Sequence, residues 1–224
     1  MYINELAKSE NDIQTPSNSS LYQDACHIID QAQQFAYHAV NEMLIKRNWL
    51  LGMRIQHEVL KEERAEYGEQ TIKKLAKVLT EKYGRGFKKS NLYSFVSFYQ
   101  NHQDFFQPLT GKSLDMADDN IFQSLTGKSP IRLSWTHYSI ILQELTAEGR
   151  SWYEQEAANE MWSTRTLQRN ISSQYYHRLL QSQDKAVVHN EMVKSTKPLQ
   201  DKLEYLKNPV VAEFLGFKNN TDYT

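Results

Sequence analysis

Thr71-Ile-Lys-Lys-Leu-Ala-Lys-Val-Leu-Thr-Glu-Lys-Tyr-Gly-Arg-Gly-Phe-Lys-Lys-Ser-Asn-Leu-Tyr-Ser-Phe-Val-Ser-Phe-Tyr99 reads as two amphipathic helices joined by a glycine turn. Ile72, Leu75, Ala76, Leu79 and Tyr83 recur at helical spacing, which puts Lys73, Lys74, Lys77 and Thr80 on the other face. Gly84 supplies the left-handed residue that ends the first helix, and Arg85-Gly86-Phe87 turns the chain. Ser90 is the expected cap of a second helix that buries Leu92, Phe95, Val96 and Tyr99. Lys82, Arg85, Lys88 and Lys89 gather at the turn, where helix-turn-helix readers meet phosphates and base edges. Asn91 and Ser94 are expected on the exposed side beside them, as an amide and a hydroxyl suited to base edges or phosphate oxygens. The same residues would also suit a solvated helix end.

With 26 basic and 27 acidic residues the net charge is -1, so a nucleic-acid face has to be a local patch. Few Pro and Gly, with recurrent Gln, Glu, Lys, Leu and Ala, favour helices, and the fold class expected is all-α. Cys26 stands alone, so no intrachain disulfide forms and a cytoplasmic address is the default. No signal peptide or apolar run of membrane-spanning length is present, so a membrane partner is not expected.

Residues 1–20 read as a flexible leader and residues 21–180 as a helical domain. From Leu21 to about Lys61, Ile29, Ala36, Val40, Leu44, Leu51, Ile55 and Val59 step by four and seven along one long helix or two in line. Gly52 weakens its middle, so it either kinks there or packs lengthwise against a partner, which makes a homo-oligomer through this helix an expectation. Glu62, Glu63, Glu66 and Glu69 suit the start of the next helix. Residues 101–132 form a loop insert with a duplication, Phe106-Gln-Pro-Leu-Thr-Gly-Lys-Ser113 and Phe122-Gln-Ser-Leu-Thr-Gly-Lys-Ser129. Both copies lack the earlier glycine of a phosphate-binding loop, so no nucleotide or other small-molecule substrate is expected.

Ser134 is a candidate cap for a helix burying Trp135, Tyr138, Ile141, Leu142 and Leu145, with Gly149 near its end. A further helix runs from about Arg150 to Glu160, and another opens at Trp162-Ser163 with Leu167, Ile171 and Leu179 inward. Arg165, Gln168 and Arg169 share its outer face with Ser172, which makes a second helix-turn-helix-like candidate: Arg suits guanine and Gln suits adenine. Trp49, Trp135, Trp152 and Trp162 sit in apolar helical patterns and read as core anchors. Residues 181–197 are polar and read as a linker, and residues 198–224 as a docking tail or the start of a further domain. No metal-ligand spacing or cofactor motif is found.

Arg64-Ala-Glu-Tyr-Gly68, Leu79-Thr-Glu-Lys-Tyr-Gly-Arg-Gly-Phe87 with Ser90-Asn-Leu92, Leu133-Ser-Trp-Thr-His-Tyr138 and Trp152-Tyr-Glu-Gln-Glu-Ala157 with Trp162-Ser163 together resemble the N-terminal domain of the bacterial YhcG-like family. The resemblance runs from about Ile28 to Leu180. In that family the helical domain, here winged-helix-like in expectation, precedes a nuclease domain of the PD-(D/E)XK superfamily. Asn208-Pro-Val-Val-Ala-Glu-Phe-Leu-Gly216 resembles the junction. The duplicated insert departs from the family pattern. So does the lack, in residues 1–224, of Pro-Asp followed by Asp/Glu-x-Lys, and no catalytic residue carries over. The resemblance implies a DNA-binding module that positions a nuclease in mobile-element or phage defence, with no catalysis of its own. The alternative is a dimerisation or protein-interaction module that assembles a nuclease complex without touching DNA.

Overall fold

The computed structural model describes residues 20–60, 65–108, 121–123, 125–127 and 133–199. It divides into two units, residues 1–38 and 39–224. The described part of the first is the opening stretch of helix α1, Ser20–Leu60. Between Ser20 and His38 only Cys26 and Tyr37 are even partly buried.

The second unit contains the hydrophobic core. Beyond α1 it is built from α2 Ala65–Tyr83, α3 Lys89–Asn101, α4 Trp135–Ile141, α5 Ala147–Asn159, α6 Thr164–Ser172, α7 Tyr175–Gln181 and α8 Lys185–Thr196. The all-α expectation holds, with one small addition. β1 Phe106–Pro108 and β2 Leu125–Gly127 pair antiparallel, with Phe106 opposite Gly127 and Pro108 opposite Leu125. The opening of one duplicated segment thus pairs with the middle of the other. Phe106 and Leu125 are buried, so these residues serve the core as well as the surface. The Gly-Lys-Ser ends lie largely outside the described residues.

Aromatic side chains dominate the centre. Phe95 and Phe98 of α3 are fully buried, and their rings meet Trp135 of α4 edge-on at 5.2 and 5.5 Å. Trp49 of α1 crosses Phe106 at 5.6 Å and donates its indole N–H to the His102 carbonyl at 2.8 Å. That bond satisfies the polar edge of an otherwise buried ring. Trp49, Trp135 and Trp162 are buried and Trp152 packs on the core from its edge, as anchors should.

Several local expectations are corrected. α1 stays helical through Gly52, which is buried where the backbone of α3 passes close. Ser134 does cap α4, accepting the His137 N–H, but α4 ends at Ile141, and Leu145 is exposed rather than core. Gly149 does not end that helix. It lies in the first turn of α5, where its N–H donates to the capping Thr146 hydroxyl. The helix expected to run on through Leu179 breaks at Gln174, whose φ of 53° is left-handed, so α6 and α7 are separate. Residues 185–196 of the expected linker form α8, because Val188 and Met192 have apolar surface to cover and Asp184 caps the helix. Residues 1–19 of the expected leader and 200–224 of the expected tail lie outside the described residues, whereas Ser20 already belongs to α1 and Lys197–Leu199 forms a short 3-10 turn.

Candidate nucleic-acid interface

The pairing of α2 and α3 follows from their shared apolar side: Ile72 and Ala76 on one, Leu92, Phe95 and Phe98 on the other, are all buried. A short 3-10 turn, Arg85–Phe87, joins them. Gly84 has a positive φ of 99° with an extended ψ of -173°, a conformation only glycine adopts freely, although it is not the left-handed helical cap expected. Its N–H still closes α2 onto the Thr80 carbonyl at 3.0 Å. Lys88, not Ser90, occupies the N-cap position of α3.

The turn is braced from within. Asn91 donates its amide to the Gly86 carbonyl at 3.0 Å and is half-buried, so this side chain fastens the turn instead of projecting freely. Ser94 donates back to the Ser90 carbonyl at 3.2 Å inside α3. Arg47, from α1, stacks its guanidinium 5.0 Å from the centre of the Phe87 ring and donates to the side-chain oxygen Oδ1 of Asn48. Arg47, Tyr83, Arg85, Phe87, Asn91 and Trp135 line a cleft of about 580 Å³ beneath the turn.

The four cations of the turn differ in what they already bind. Lys89 donates to Glu69 at 2.6 Å. This hydrogen bond and the opposite charge hold the Glu69 carboxyl below its ordinary value and push the Lys89 ammonium above its own. Lys82 lies 5.0 Å from the centre of the Tyr83 ring. Arg85 and Lys88 are exposed and have no ion-pair partner among the described residues. Outward on α2, Lys73, Lys74 and Lys77 are exposed too. Residues 65–99 hold seven Lys and Arg against three Glu, a net charge of +4 within a chain of net -1. The chemistry on offer is charge-assisted hydrogen-bond donation, which suits phosphate oxygens.

Arg165, Gln168 and Arg169 lie together on the outer side of α6, as expected. With Ser172, Ile140 and Leu199 they line a second, shallow cleft of about 530 Å³. Gln168 reaches Gln143 at 3.4 Å and Ser172 at 3.3 Å. Trp135 belongs to the first cleft and Ile140 to the second, and five residues of helix turn them about 140° apart around α4. The two basic groups therefore flank different sides of α4. Glu69, Arg47 and the α2 lysines were not among the site residues expected from sequence. The Glu69–Lys89 and Arg47–Phe87 contacts join residues far apart in the chain, and helix packing alone brings them together. The α2 lysines were readable as a polar stripe but carried no sign of a ligand. Among the described residues no three His, Cys, Asp or Glu side chains gather as a metal site, and no helix is long and apolar enough to cross a membrane.

Comparison with known proteins gives two matches. A family model described as the DUF1016 N-terminal domain matches residues 24–178. The protein named "Putative nuclease YhcG" from Escherichia coli (strain K12) is 31% identical over 221 residues, covering 92% of this chain. The chain spans 58% of that protein's length. No solved structure matches it.

Proposed function

Because the chain belongs to the DUF1016 N-terminal domain family, we propose that it is the DNA-binding, targeting module of a YhcG-like nuclease and performs no catalysis of its own. The observation that carries the reading is Arg85 with Lys88: two exposed cations, unpaired among the described residues, at the turn of a helix pair with a local charge of +4. Phosphate contacts position a protein on a duplex, and Lys and Arg at the start of a helix are suited to make them. Lys82 and Lys89 extend the contact, while Asn91 and Ser94 hold the turn and helix that present it. Arg165, Gln168 and Arg169 form a second contact on another side of α4. Holding the duplex beside a nuclease domain raises the local concentration of substrate there, which is the gain a targeting module gives. The setting the resemblance implies is defence against mobile elements or phage.

A second reading, assembly of a nuclease complex without DNA contact, draws on the exposed apolar side chains of residues 21–36. Fluorescence anisotropy of a labelled duplex, titrated with this chain at two salt concentrations, separates the two. Binding that weakens steeply with salt supports the DNA reading. Absence of binding at low salt overturns it.

A further inference from the structure

The first unit has its large apolar side chains on the outside. Leu21 is 79% exposed, Ile28 67%, Phe35 79% and Ile29 54%. Leu21, Ile28 and Phe35 are seven residues apart and form one ridge along α1, and Tyr22, Ile29 and Ala36 form a second, about 100° further round. Ala25 and Ala32, also seven apart, lie between the ridges as a groove of small residues. The sector they cover is apolar throughout, whereas Gln23, Asp24, His27, Asp30, Gln31, Gln33 and Gln34 all fall outside it. A seven-residue apolar repeat marks a face that another helix follows in a left-handed supercoil. A helical stretch of this length is marginal in water unless such a face is covered.

We propose that the occupant is a second copy of this chain, lying antiparallel, with the Leu21-Ile28-Phe35 ridge of each copy seated in the alanine groove of the other. The spacing selects this arrangement. With Phe35 opposite the partner's Ala25, Ile28 falls opposite the partner's Ala32, and the two-fold axis repeats both pairs. Every layer then joins one large and one small side chain, so the axes keep an even, close separation of about 8 Å. In a parallel alignment Phe35 would meet Phe35 and Ala25 would meet Ala25, forcing wide and narrow layers to alternate. Asp24 and Asp30 are the only Asp or Glu between Ser20 and His38, and neither lies in the seam, so like-charge repulsion between copies is small. The contact is isologous and closes at two copies. It does not depend on DNA contact at the α2–α3 turn.

Sedimentation equilibrium of the 224-residue chain tests the proposal, with a mass twice 26.3 kDa expected. Ala32→Glu with Phe35→Glu should give a monomer, a rise in dissociation constant of about 100-fold or more. The tryptophan bands of the near-ultraviolet dichroism should be unchanged, because Trp49, Trp135, Trp152 and Trp162 all lie beyond residue 38. Gln34→Glu, outside the seam, should leave the dimer intact. In a Cys26→Ser background, Ile28→Cys and Ala32→Cys chains should form a disulfide with each other when mixed, and neither with itself. A monomeric parent chain, a dimer indifferent to Ala32→Glu with Phe35→Glu, dissociation by Gln34→Glu, or self-linkage through position 32 would each overturn it.

Discussion

Gly52 on α1 faces the backbone of Phe95 on α3 so closely that a β-carbon at position 52 would lie 2.0 Å from the Phe95 carbonyl oxygen and 2.6 Å from its carbon. In an ordinary helix interior, Gly→Ala gains about 1 kcal/mol. Here the sign reverses, because two backbones would have to separate and a flexible side chain cannot absorb the overlap. Gly52→Ala should lower stability by about 3 kcal/mol, at the severe end of overpacking. The urea midpoint of the purified protein measures this, and an unchanged or raised midpoint would refute the close approach.

Tyr153 joins α5 to the helices that follow it. Its hydroxyl, fully buried, donates to the Asn170 carbonyl at 3.1 Å and accepts the Tyr176 N–H at 3.0 Å. Tyr153→Phe keeps the ring but leaves a carbonyl and an N–H without that partner, and should cost about 1–3 kcal/mol. Urea denaturation at neutral pH reads the difference.

The same residue sets an alkaline limit. Burial pushes the phenols of Tyr153 and Tyr175 up to about 12, and pushes Tyr138 higher still, with the Glu154 carboxylate adding to that rise. A phenol raised in the folded state stabilises fully below its unfolded value near 10. That stability is lost as pH rises from there towards 12 and beyond. Phenolate absorbance from these three should therefore appear together with loss of helicity. Simple, fully reversible titration with helicity retained would contradict it.

Glu144 predicts the acid side. Burial alone would push its carboxyl up, but the backbone N–H and hydroxyl of Thr146, together with His177, outweigh burial and hold it below its ordinary value. A depressed carboxyl stabilises above its unfolded value, about 4.3, and that stability disappears as pH falls through the folded value. Glu144→Gln should thus be clearly destabilised at pH 7, and the gap to the parent should close below about pH 4. A gap independent of pH would show that the carboxylate charge does not matter there.

The amphipathic spacing of Ile72, Ala76, Leu92 and Phe95 was enough to reveal the α2–α3 pair, because local periodicity fixes which face is buried. Ser134 was readable as a cap for the same local reason. The break at Gln174 was not readable, since a left-handed glutamine carries no glycine or proline to mark it. Gly52 looked like a weak point and is a contact point, a difference decided by the Phe95 backbone more than forty residues away. At the candidate interface, charge type was legible but charge pairing was not. The sequence places Lys88 and Lys89 side by side, whereas only Lys89 lies within reach of Glu69.

If the turn binds duplex DNA as proposed, that asymmetry should separate the contributions of neighbouring cations to the affinity. Each phosphate neutralised on duplex DNA contributes about 0.9 to the slope of log affinity against log salt. Arg85→Ala with Lys88→Ala should flatten the slope by about two units, because both side chains are free to meet phosphate. Lys89→Ala alone should change it less, since Lys89 must first leave Glu69. Glu69→Gln removes the competitor, so it should raise affinity at low salt and steepen the slope by up to about one unit. Anisotropy titrations across a salt series measure all three variants. Should Glu69→Gln leave affinity and slope untouched while Arg85→Ala with Lys88→Ala flattens the slope, the phosphate path passes the turn without reaching Lys89. Should neither variant alter the slope, the turn is not where the duplex lies.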